Sequence, residues 1–164
     1  DLELSGGGAF MDMGAHAVHL LRTFLGPVDK VCATIGNDAG IYPDVDDYGT
    51  ALLRFKSGAL GVMEASWVQT GGGGGLEVTG SEGTIFDHPE LGYVIGAPGK
   101  DPVPVAKGEE KPTRVERLLR AIRDEISAGE LADDLGCAAD AVAIVEACYA
   151  SSEQGAWVDV AALD

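Results

Sequence analysis

The sequence predicts an α+β fold in which a mainly antiparallel open sheet carries helices packed on one face. Three observations support this class: an amphipathic helix opens the chain, a block of short strands with glycine-rich turns follows, and two helices and a last strand close it. The repeated strand–helix–strand order that is typical of a parallel sheet is not present. Because 164 residues are the size of one ordinary domain, we expect residues 1–164 to form a single domain.

The first half of the chain supplies one helix and most of the strands. The helix is predicted from Ala9 to Leu25, ended by the stop signal Gly26-Pro27. β-Branched residues over 28–38 predict a strand, and the stretches "YGTALLRF" and "GALGVMEASWVQ" predict a hairpin around Lys56-Ser57-Gly58. Glycine separates three further short apolar runs, so more strands are expected at 75–80, 83–87 and 92–96.

The second half of the chain returns to helical spacing. Residues 97–112 hold four of the seven prolines and predict an irregular segment. Apolar residues then recur at helical spacing over 118–126 and over 135–149, which predicts two helices with one apolar face each. The closing stretch "GAWVDV" predicts a last strand.

Charge and cysteine content exclude several classes of partner. The chain has 11 basic and 27 acidic residues, a net charge of −16 that repels phosphate backbones and anionic membranes. We therefore expect no nucleic-acid partner. The sequence contains no run of about 18 apolar residues, so no membrane span is predicted. The three cysteines are odd in number and form no CxxC pair, which predicts reduced thiols in a cytoplasmic protein: Cys32, Cys137 and Cys148.

The first helix divides into two faces at about 100° per residue. The predicted core stripe consists of Phe10, Met13, Ala17, Leu20, Leu21 and Phe24. The polar stripe on the opposite side consists of Asp12, His16, His19 and Thr23. This stripe is either the solvent-facing side or a site. Solvent-facing helix surfaces are normally rich in Lys, Glu and Arg, whereas a carboxylate one turn from a histidine can orient it and hold its proton. The composition favours a site at Asp12 and His16.

A metal site is the competing interpretation of the same stripe. Asp12, His16 and His19 have the composition of a two-histidine, one-carboxylate triad. Asp12 and His19 lie about 10 Å apart along a straight helix, which is too far for one ion, so we expect no metal. Asp44, Asp46 and Asp47 lack the spacing of a calcium loop and predict a solvated turn before a strand. The glycines at 6–8 let a backbone or a ligand approach the helix start.

The stretch "GGGAFMDMGAHAVHLL" resembles the helix that opens the C-terminal domain of the Gfo/Idh/MocA family of NAD(P)-dependent oxidoreductases. Members read as Gly-Gly, a few apolar residues, then Asp-x-Gly-x-His. The similarity continues in order through "VDDYGTALLRFKSGALGVMEASW", "LEVTGSEGTI" and "VEACYASSEQGAWVDV". The resemblance implies a fold like the C-terminal domain of glyceraldehyde-3-phosphate dehydrogenase. The strands are apolar on both faces, so the face without helices is expected to join a homodimer or tetramer.

The resemblance also implies roles for individual residues. Asp12 and His16 match the catalytic pair of the family, in which the histidine relays a proton to the substrate while the nicotinamide of NAD or NADP exchanges the hydride. The implied substrate is a sugar, inositol or related polyol. His19 stands where the family usually has aspartate, so it either changes the substrate contacts or is a neutral replacement. Trp67 either borders the substrate cleft or is a core or interface aromatic. We assign both to substrate binding.

The cofactor-binding half is not represented in these residues. No GxGxxG turn occurs, although dinucleotide binding depends on that turn. The family's catalytic lysine lies in a Glu-Lys-Pro motif of the Rossmann domain, and Glu110-Lys111-Pro112 comes too late in the chain to match it. We expect a Rossmann domain before Asp1 to bind the cofactor and this chain alone to be inactive. The alternative is a non-catalytic dimerisation or ligand-binding module that retains the fold.

Overall fold

A computed structural model describes residues 2–71, 74–105, 114–123 and 127–161. The helices are α1 (Leu2–Ser5), α2 (Ala9–Leu25), α3 (Arg114–Ile122) and α4 (Ala128–Gln154). The strands are β1 (Val28–Gly36), β2 (Tyr48–Phe55), β3 (Leu60–Ser66), β4 (Glu77–Gly80), β5 (Gly83–His88), β6 (Gly92–Gly96), β7 (Val103–Pro104) and β8 (Val158–Asp159). This order confirms the predicted α+β class. The short helix α1 was not predicted, and Ile126 and the Glu110-Lys111-Pro112 stretch lie outside the described residues.

The chain divides into two compact units. The first contains Asp1–Gln69 and Arg120–Asp164, and the second contains Thr70–Leu119. The first unit holds a four-stranded sheet in the order β3-β2-β1-β8, and the second holds another in the order β4-β5-β6-β7. Every neighbouring pair of strands is antiparallel, as predicted.

The core of the first unit lies between one face of its sheet and helices α2 and α4. Burial alternates strictly along β2 after its first residue, because successive side chains of a strand point to opposite faces. In the register, Leu53 lies opposite Val31 of β1, and Ala51 lies opposite Met63 of β3. The largest fully buried side chains of this core are Phe10, Phe55, Leu53, Ile144, Val18, Val31 and Val145.

Two serines of α4 close the edge of this sheet. In the described part of the chain, β8 pairs with β1 at Lys30 and Val31, and the N–H groups further along β1 on that side face no strand. The hydroxyl oxygen of Ser151 accepts from the backbone N–H of Ala33 at 3.0 Å, and that of Ser152 accepts from Ile35 at 2.9 Å. Ser151 is fully buried, and its hydroxyl donates to the carbonyl oxygen of Ala156. The serine hydroxyl groups therefore accept hydrogen bonds from backbone N–H groups of β1 that would otherwise be buried without a partner.

The other face of the first sheet carries apolar side chains that none of the described helices covers. Cys32, Leu52 and Val62 lie side by side across three strands in the antiparallel register. Leu52, Val62 and the neighbouring Leu60 are 47% to 73% exposed. The prediction that helices pack on one face only is confirmed for this unit.

The predicted core stripe of α2 was wrong at three positions. Met13, Leu20 and Phe24 are 48%, 41% and 56% exposed. The buried residues are instead Ala9, Phe10, Gly14, Val18 and Leu21. The helix turns Gly14 towards the sheet, because a residue without a side chain lets the backbones approach closely; a Cβ there would lie 3.5 Å from Cε of Met63. A hydropathy pattern does not count glycine as a core residue, so the sequence predicted a buried face centred nearer to Met13 than to Gly14.

Helices α2 and α4 are also joined by a polar contact. Arg22 forms an ion pair with Asp140, and a second nitrogen of its guanidinium group donates to the sulfur of Cys137 at 2.9 Å. Arg22 lies in the last turn of α2, where a cation is favoured by the helix dipole. The contact fixes the end of the helix whose start carries the predicted site.

The second unit is a meander of short strands. Strands β4 to β6 occupy the predicted positions within two residues at each end. Strand β7 was not predicted: it lies inside the predicted irregular segment and pairs with Val94 and Ile95 of β6. Val94 is fully buried in this unit. Across the described parts of both units, no helix combines the length and the apolar character needed to cross a membrane.

Candidate functional site

Helix α2 carries Asp12 and His16 one turn apart on its exposed side. His19 is half-buried one turn further along, and the hydroxyl of Thr23 donates to its carbonyl oxygen at 2.8 Å. The exposed Met13 and Leu20 flank this stripe. The predicted polar stripe is thus on the outward side of the helix, where a substrate can reach it.

The structure brings Trp67 to Asp12 although 55 positions separate them in the sequence. The indole Nε1 of Trp67 donates a hydrogen bond to Oδ2 of Asp12 at 3.1 Å. The ring of Trp67 packs edge-on against Tyr42, with a centroid distance of 5.8 Å. Asp12 and Trp67 were both predicted as site residues, and they are in contact. The hydrogen bond between them was not predicted. Among the described residues, the imidazole groups of His16 and His19 make no hydrogen bond.

The start of α2 is held by Asp46, which the sequence placed in a solvated turn. Its carboxylate accepts from the backbone N–H of Gly8 at 3.0 Å and of Phe10 at 2.7 Å, and its carbonyl oxygen accepts from Ala9 at 3.0 Å. The hydroxyl of Tyr149 donates to the same carboxylate at 2.7 Å. The prediction for Asp46 was therefore wrong: it is a helix cap supplied from a distant loop.

Two of the three glycines before α2 leave room for this cap. A Cβ at Gly8 would overlap the main chain of Asp46, and one at Gly7 would meet the side chains of Met11 and Tyr149. Gly6 has a φ of +71°, which favours glycine. Of the two partners that the sequence allowed, a backbone or a ligand, the structure shows a backbone. Tyr149 was missed because nothing in the sequence links it to Asp46.

Asp47 also departs from the predicted solvated turn. It is only 1% exposed, and its carboxylate accepts from the backbone N–H of Asp38 at 3.0 Å and of Ala39 at 2.8 Å. Its carbonyl oxygen accepts from the backbone N–H of Trp67 at 3.0 Å. Asp44 is exposed as expected. Within the ranges that the structure describes, no group of three or more His, Cys, Asp or Glu side chains could hold a metal ion.

A cleft of about 450 Å³ opens beside Trp67. Its lining is mainly apolar and consists of Ser5, Ile41, Tyr42, Val45, Asp47, Trp67 and Val68. The carboxylate of Asp47 is already occupied by two backbone donors, so the cleft presents aromatic and aliphatic surface. Trp67 touches both this cleft and Asp12, and it therefore joins the apolar cleft to the polar stripe of α2.

Two side chains of α4 have strongly shifted pKa values. Burial, with a smaller contribution from Cys32, raises the pKa of the Cys148 thiol from 9.0 to about 12. Burial and the hydrogen bond to Asp46 raise the pKa of Tyr149 well above its usual value. Both groups are neutral near pH 7. Tyr149 therefore remains a donor to Asp46, and Cys148 is a packed thiol with no thiolate for chemistry.

Proton transfer is a chemistry that the residue types of the polar stripe on α2 allow. Asp12 offers a carboxylate whose position is fixed by an indole donor, and His16 offers an exposed imidazole one helical turn away. A histidine in this setting can take or give a proton, and a neighbouring carboxylate stabilises its charged form.

Comparisons with known proteins identify the family of the chain. The family model described as the GFO/IDH/MocA C-terminal domain matches residues 1–86. Over 86 residues the chain is 40% identical to a myo-inositol 2-dehydrogenase of Thermotoga maritima, a match that covers 49% of this chain and 25% of that protein.

Solved structures share the fold over nearly the whole chain. A levoglucosan dehydrogenase in complex with NADH and levoglucosan has a TM-score of 0.77 at 20% identity, covering 97% of this chain and 52% of that one. The WlbA dehydrogenase of Bordetella pertussis, in complex with NADH and UDP-GlcNAcA, has a TM-score of 0.69 at 23% identity. The match covers 96% of this chain and 46% of that one. The chain spans about half the length of these structures. Since the family model covers more than half of the sequence, the chain belongs to the Gfo/Idh/MocA family and corresponds to its C-terminal domain.

Proposed function

We propose that this chain is the substrate-binding half of a nicotinamide-dependent oxidoreductase that acts on a sugar, inositol or related polyol. Asp12 and His16 form its acid–base pair. The observation that carries the proposal is the carboxylate of Asp12, which Trp67 holds one helical turn from an exposed histidine. Both residues lie on a helix within the range that the family model matches. The myo-inositol 2-dehydrogenase relative and the levoglucosan-bound structure support the substrate class.

In the proposed reaction, a secondary alcohol loses a hydride from carbon and a proton from oxygen, and becomes a ketone. His16 takes the hydroxyl proton, and the carboxylate of Asp12 stabilises the imidazolium ion that results. In the reverse direction His16 returns the proton to the carbonyl oxygen. A positioned acid–base group of this kind contributes roughly 10²–10⁴ in rate.

The hydride acceptor is proposed to be NAD or NADP bound outside residues 1–164. A glycine-rich turn before a helix is the usual cradle for a pyrophosphate, and the glycines before α2 have that appearance. In this chain the donors at the helix start are already bound to the carboxylate of Asp46, whose negative charge also repels phosphate. The glycines before α2 therefore do not fit the dinucleotide, which supports the proposal of a separate cofactor domain.

The remaining substrate contacts are assigned to His19 and Trp67. His19 lies one turn beyond His16 on the same side of α2 and can hydrogen-bond a second hydroxyl group of a polyol. The ring of Trp67 lines the cleft with Tyr42 and offers an aromatic face to the C–H groups of a ring substrate.

We propose further that the uncovered sheet face joins two copies of the protein. Leu52, Leu60 and Val62 expose contiguous apolar surface there, which a second subunit would bury. We expect a homodimer or tetramer, and Val62→Arg should shift the molecular mass measured by light scattering towards the monomer. A wild-type monomer would contradict this arrangement. All three cysteines are free thiols, in keeping with a proposed cytoplasmic location.

The direct test of the function is a substrate screen on the enzyme that contains this chain. Inositols, free sugars and anhydrosugars are incubated with NAD⁺ or NADP⁺, and reduction of the cofactor is followed. We expect turnover with at least one polyol and, for that polyol, a large loss of kcat in Asp12→Asn. Saturable polyol binding without any cofactor reduction would instead favour a non-catalytic ligand-binding module.

A further inference from the structure

Trp67 donates a hydrogen bond that its position in the lining of the cleft does not require. Indole Nε1–H is a donor only, and here it is directed at Oδ2 of Asp12 rather than at the cleft or at solvent. Among the described residues no other donor reaches the carboxylate of Asp12. Oδ1 of Asp12 thus accepts no hydrogen bond from the described part of the chain.

Trp67 is itself held from two sides. Its backbone N–H donates to the carbonyl oxygen of Asp47, and its ring packs edge-on against Tyr42. Asp47 is buried and tied to the turn at residues 38 and 39 by two hydrogen bonds. The hydroxyl of Ser66 donates to the same carbonyl oxygen of Asp47 at 3.2 Å. The indole donor is therefore attached to the buried part of the fold.

Asp12 lacks support of this kind from its own helix. It is exposed in the first turn of α2, and its side chain can rotate unless a partner fixes it. A carboxylate that must meet an imidazolium ion at the moment of proton transfer gains rate from being fixed in advance.

We propose that Trp67 is a positioning residue: its indole N–H holds the carboxylate of Asp12 in place on the exposed side of α2, so that one carboxylate oxygen stays available to His16. This role rests on the proposed function. It is distinct from the contact with substrate assigned to the ring of Trp67, because it depends on one N–H group alone.

The test separates the N–H group from the ring. Trp67→Phe retains an aromatic ring beside Tyr42 and removes the donor, and Trp157→Phe, the other tryptophan, is the matched control. In the enzyme that contains this chain, Trp67→Phe is expected to lower kcat about tenfold while KM stays within about twofold. Trp157→Phe is expected to leave both constants unchanged. A cleft-wall role alone would raise KM instead.

A second readout does not depend on activity. In NMR spectra of this chain, the indole proton of Trp67 is assigned by its absence in Trp67→Phe. Asp12→Ala is expected to speed exchange of that proton with solvent about fivefold and to leave Trp157 unaffected. Unchanged exchange would overturn the proposal, because the bond would then not persist in solution.

The outcomes distinguish this inference from the proposed function. If His16→Asn loses turnover while Trp67→Phe keeps the wild-type kcat, the acid–base pair stands and the positioning role of Trp67 is overturned. If His16→Asn keeps its turnover, the proposed function fails, and the positioning role fails with it whatever Trp67→Phe does.

Discussion

Oδ1 of Asp46 accepts a hydrogen bond from the backbone N–H of Gly8 at 3.0 Å, across 38 positions of sequence. The contact closes the start of α2, the helix that carries Asp12 and His16. Gly8 has no side chain with which to cap the helix itself, and the absence of that side chain makes room for Asp46. The glycines before the helix are thus explained by the cap, and the candidate site depends on a loop distant in sequence.

The first prediction concerns the strength of this cap. Asp46→Ala removes the acceptor of two backbone donors and of the Tyr149 hydroxyl, and should lower the free energy of unfolding by about 2–3 kcal/mol. Thermal and urea unfolding measure the loss. Asp44→Ala, at an exposed position of the same loop, should change stability by less than about 0.5 kcal/mol. Equal effects of the two variants would show that Asp46 does not cap the helix.

The second prediction concerns the link from the cap to α4. Tyr149→Phe removes one hydroxyl and should cost about 1–1.5 kcal/mol, since the hydrogen bond ends on a carboxylate. In a double-mutant cycle with Asp46→Ala, the two losses should not add, and a coupling of about 1 kcal/mol is expected. Full additivity would mean that the two side chains do not interact in the folded protein.

The third prediction compares two glycines in opposite environments. Gly8→Ala places a Cβ against the main chain of Asp46 and should destabilise the protein by at least about 2 kcal/mol. Gly136→Ala lies inside α4, where no described atom comes within 4 Å of the new Cβ, and should stabilise the protein by about 0.5–1 kcal/mol. Urea unfolding of both variants checks the opposite signs. A stabilised Gly8→Ala protein would contradict the close contact.

The fourth prediction concerns alkaline stability. The pKa of Cys148 rises from 9.0 to about 12 in the folded protein, so the unfolded chain loses this proton first as the pH rises. The contribution of Cys148 to stability is complete below about pH 9 and is lost towards pH 12, at about 1.4 kcal/mol per pH unit between them. The raised pKa of Tyr149 acts in the same direction.

Urea unfolding at several pH values above 8 measures that slope. Cys148→Ala lowers stability at neutral pH through lost packing, but its free energy of unfolding should fall less steeply with pH than that of the wild type. Cys137→Ala, at a half-buried thiol of the same helix, is the matched control and should keep the wild-type slope. Parallel curves for wild type and Cys148→Ala would contradict the prediction.

Some of this structure could be predicted because the signal is local. Helix α2 and strand β2 have the predicted bounds. Their apolar residues repeat with periods of 3.6 and 2 within one continuous stretch of sequence. Three positions of the predicted core stripe of α2 were wrong because Gly14, not a large apolar residue, faces the sheet. The helix cap made by Asp46 and the bonds of Asp47 to the turn at residues 38 and 39 were missed. Their partners lie in other segments, and a tertiary hydrogen bond produces no periodic pattern in the sequence.

The candidate site was predictable to the same extent. Asp12 and His16 were found from their spacing and from a family resemblance that the family model confirms for residues 1–86. Trp67 was found as an aromatic residue at the end of a strand, but its bond to Asp12 depends on how β3 and α2 pack. The sequence pattern of either segment alone does not show that Asp12 and Trp67 lie within hydrogen-bonding distance.

The most direct test of the account is the turnover of His16→Asn in the enzyme that contains this chain, measured beside its affinity for the nicotinamide cofactor. We expect kcat to fall by roughly 10²–10⁴ with unchanged cofactor affinity, because His16 moves a proton and the cofactor is held elsewhere. His88→Asn, in the second unit, is the control and should turn over like the wild type. A His16→Asn enzyme with wild-type kcat would contradict the central claim that Asp12 and His16 are the acid–base pair.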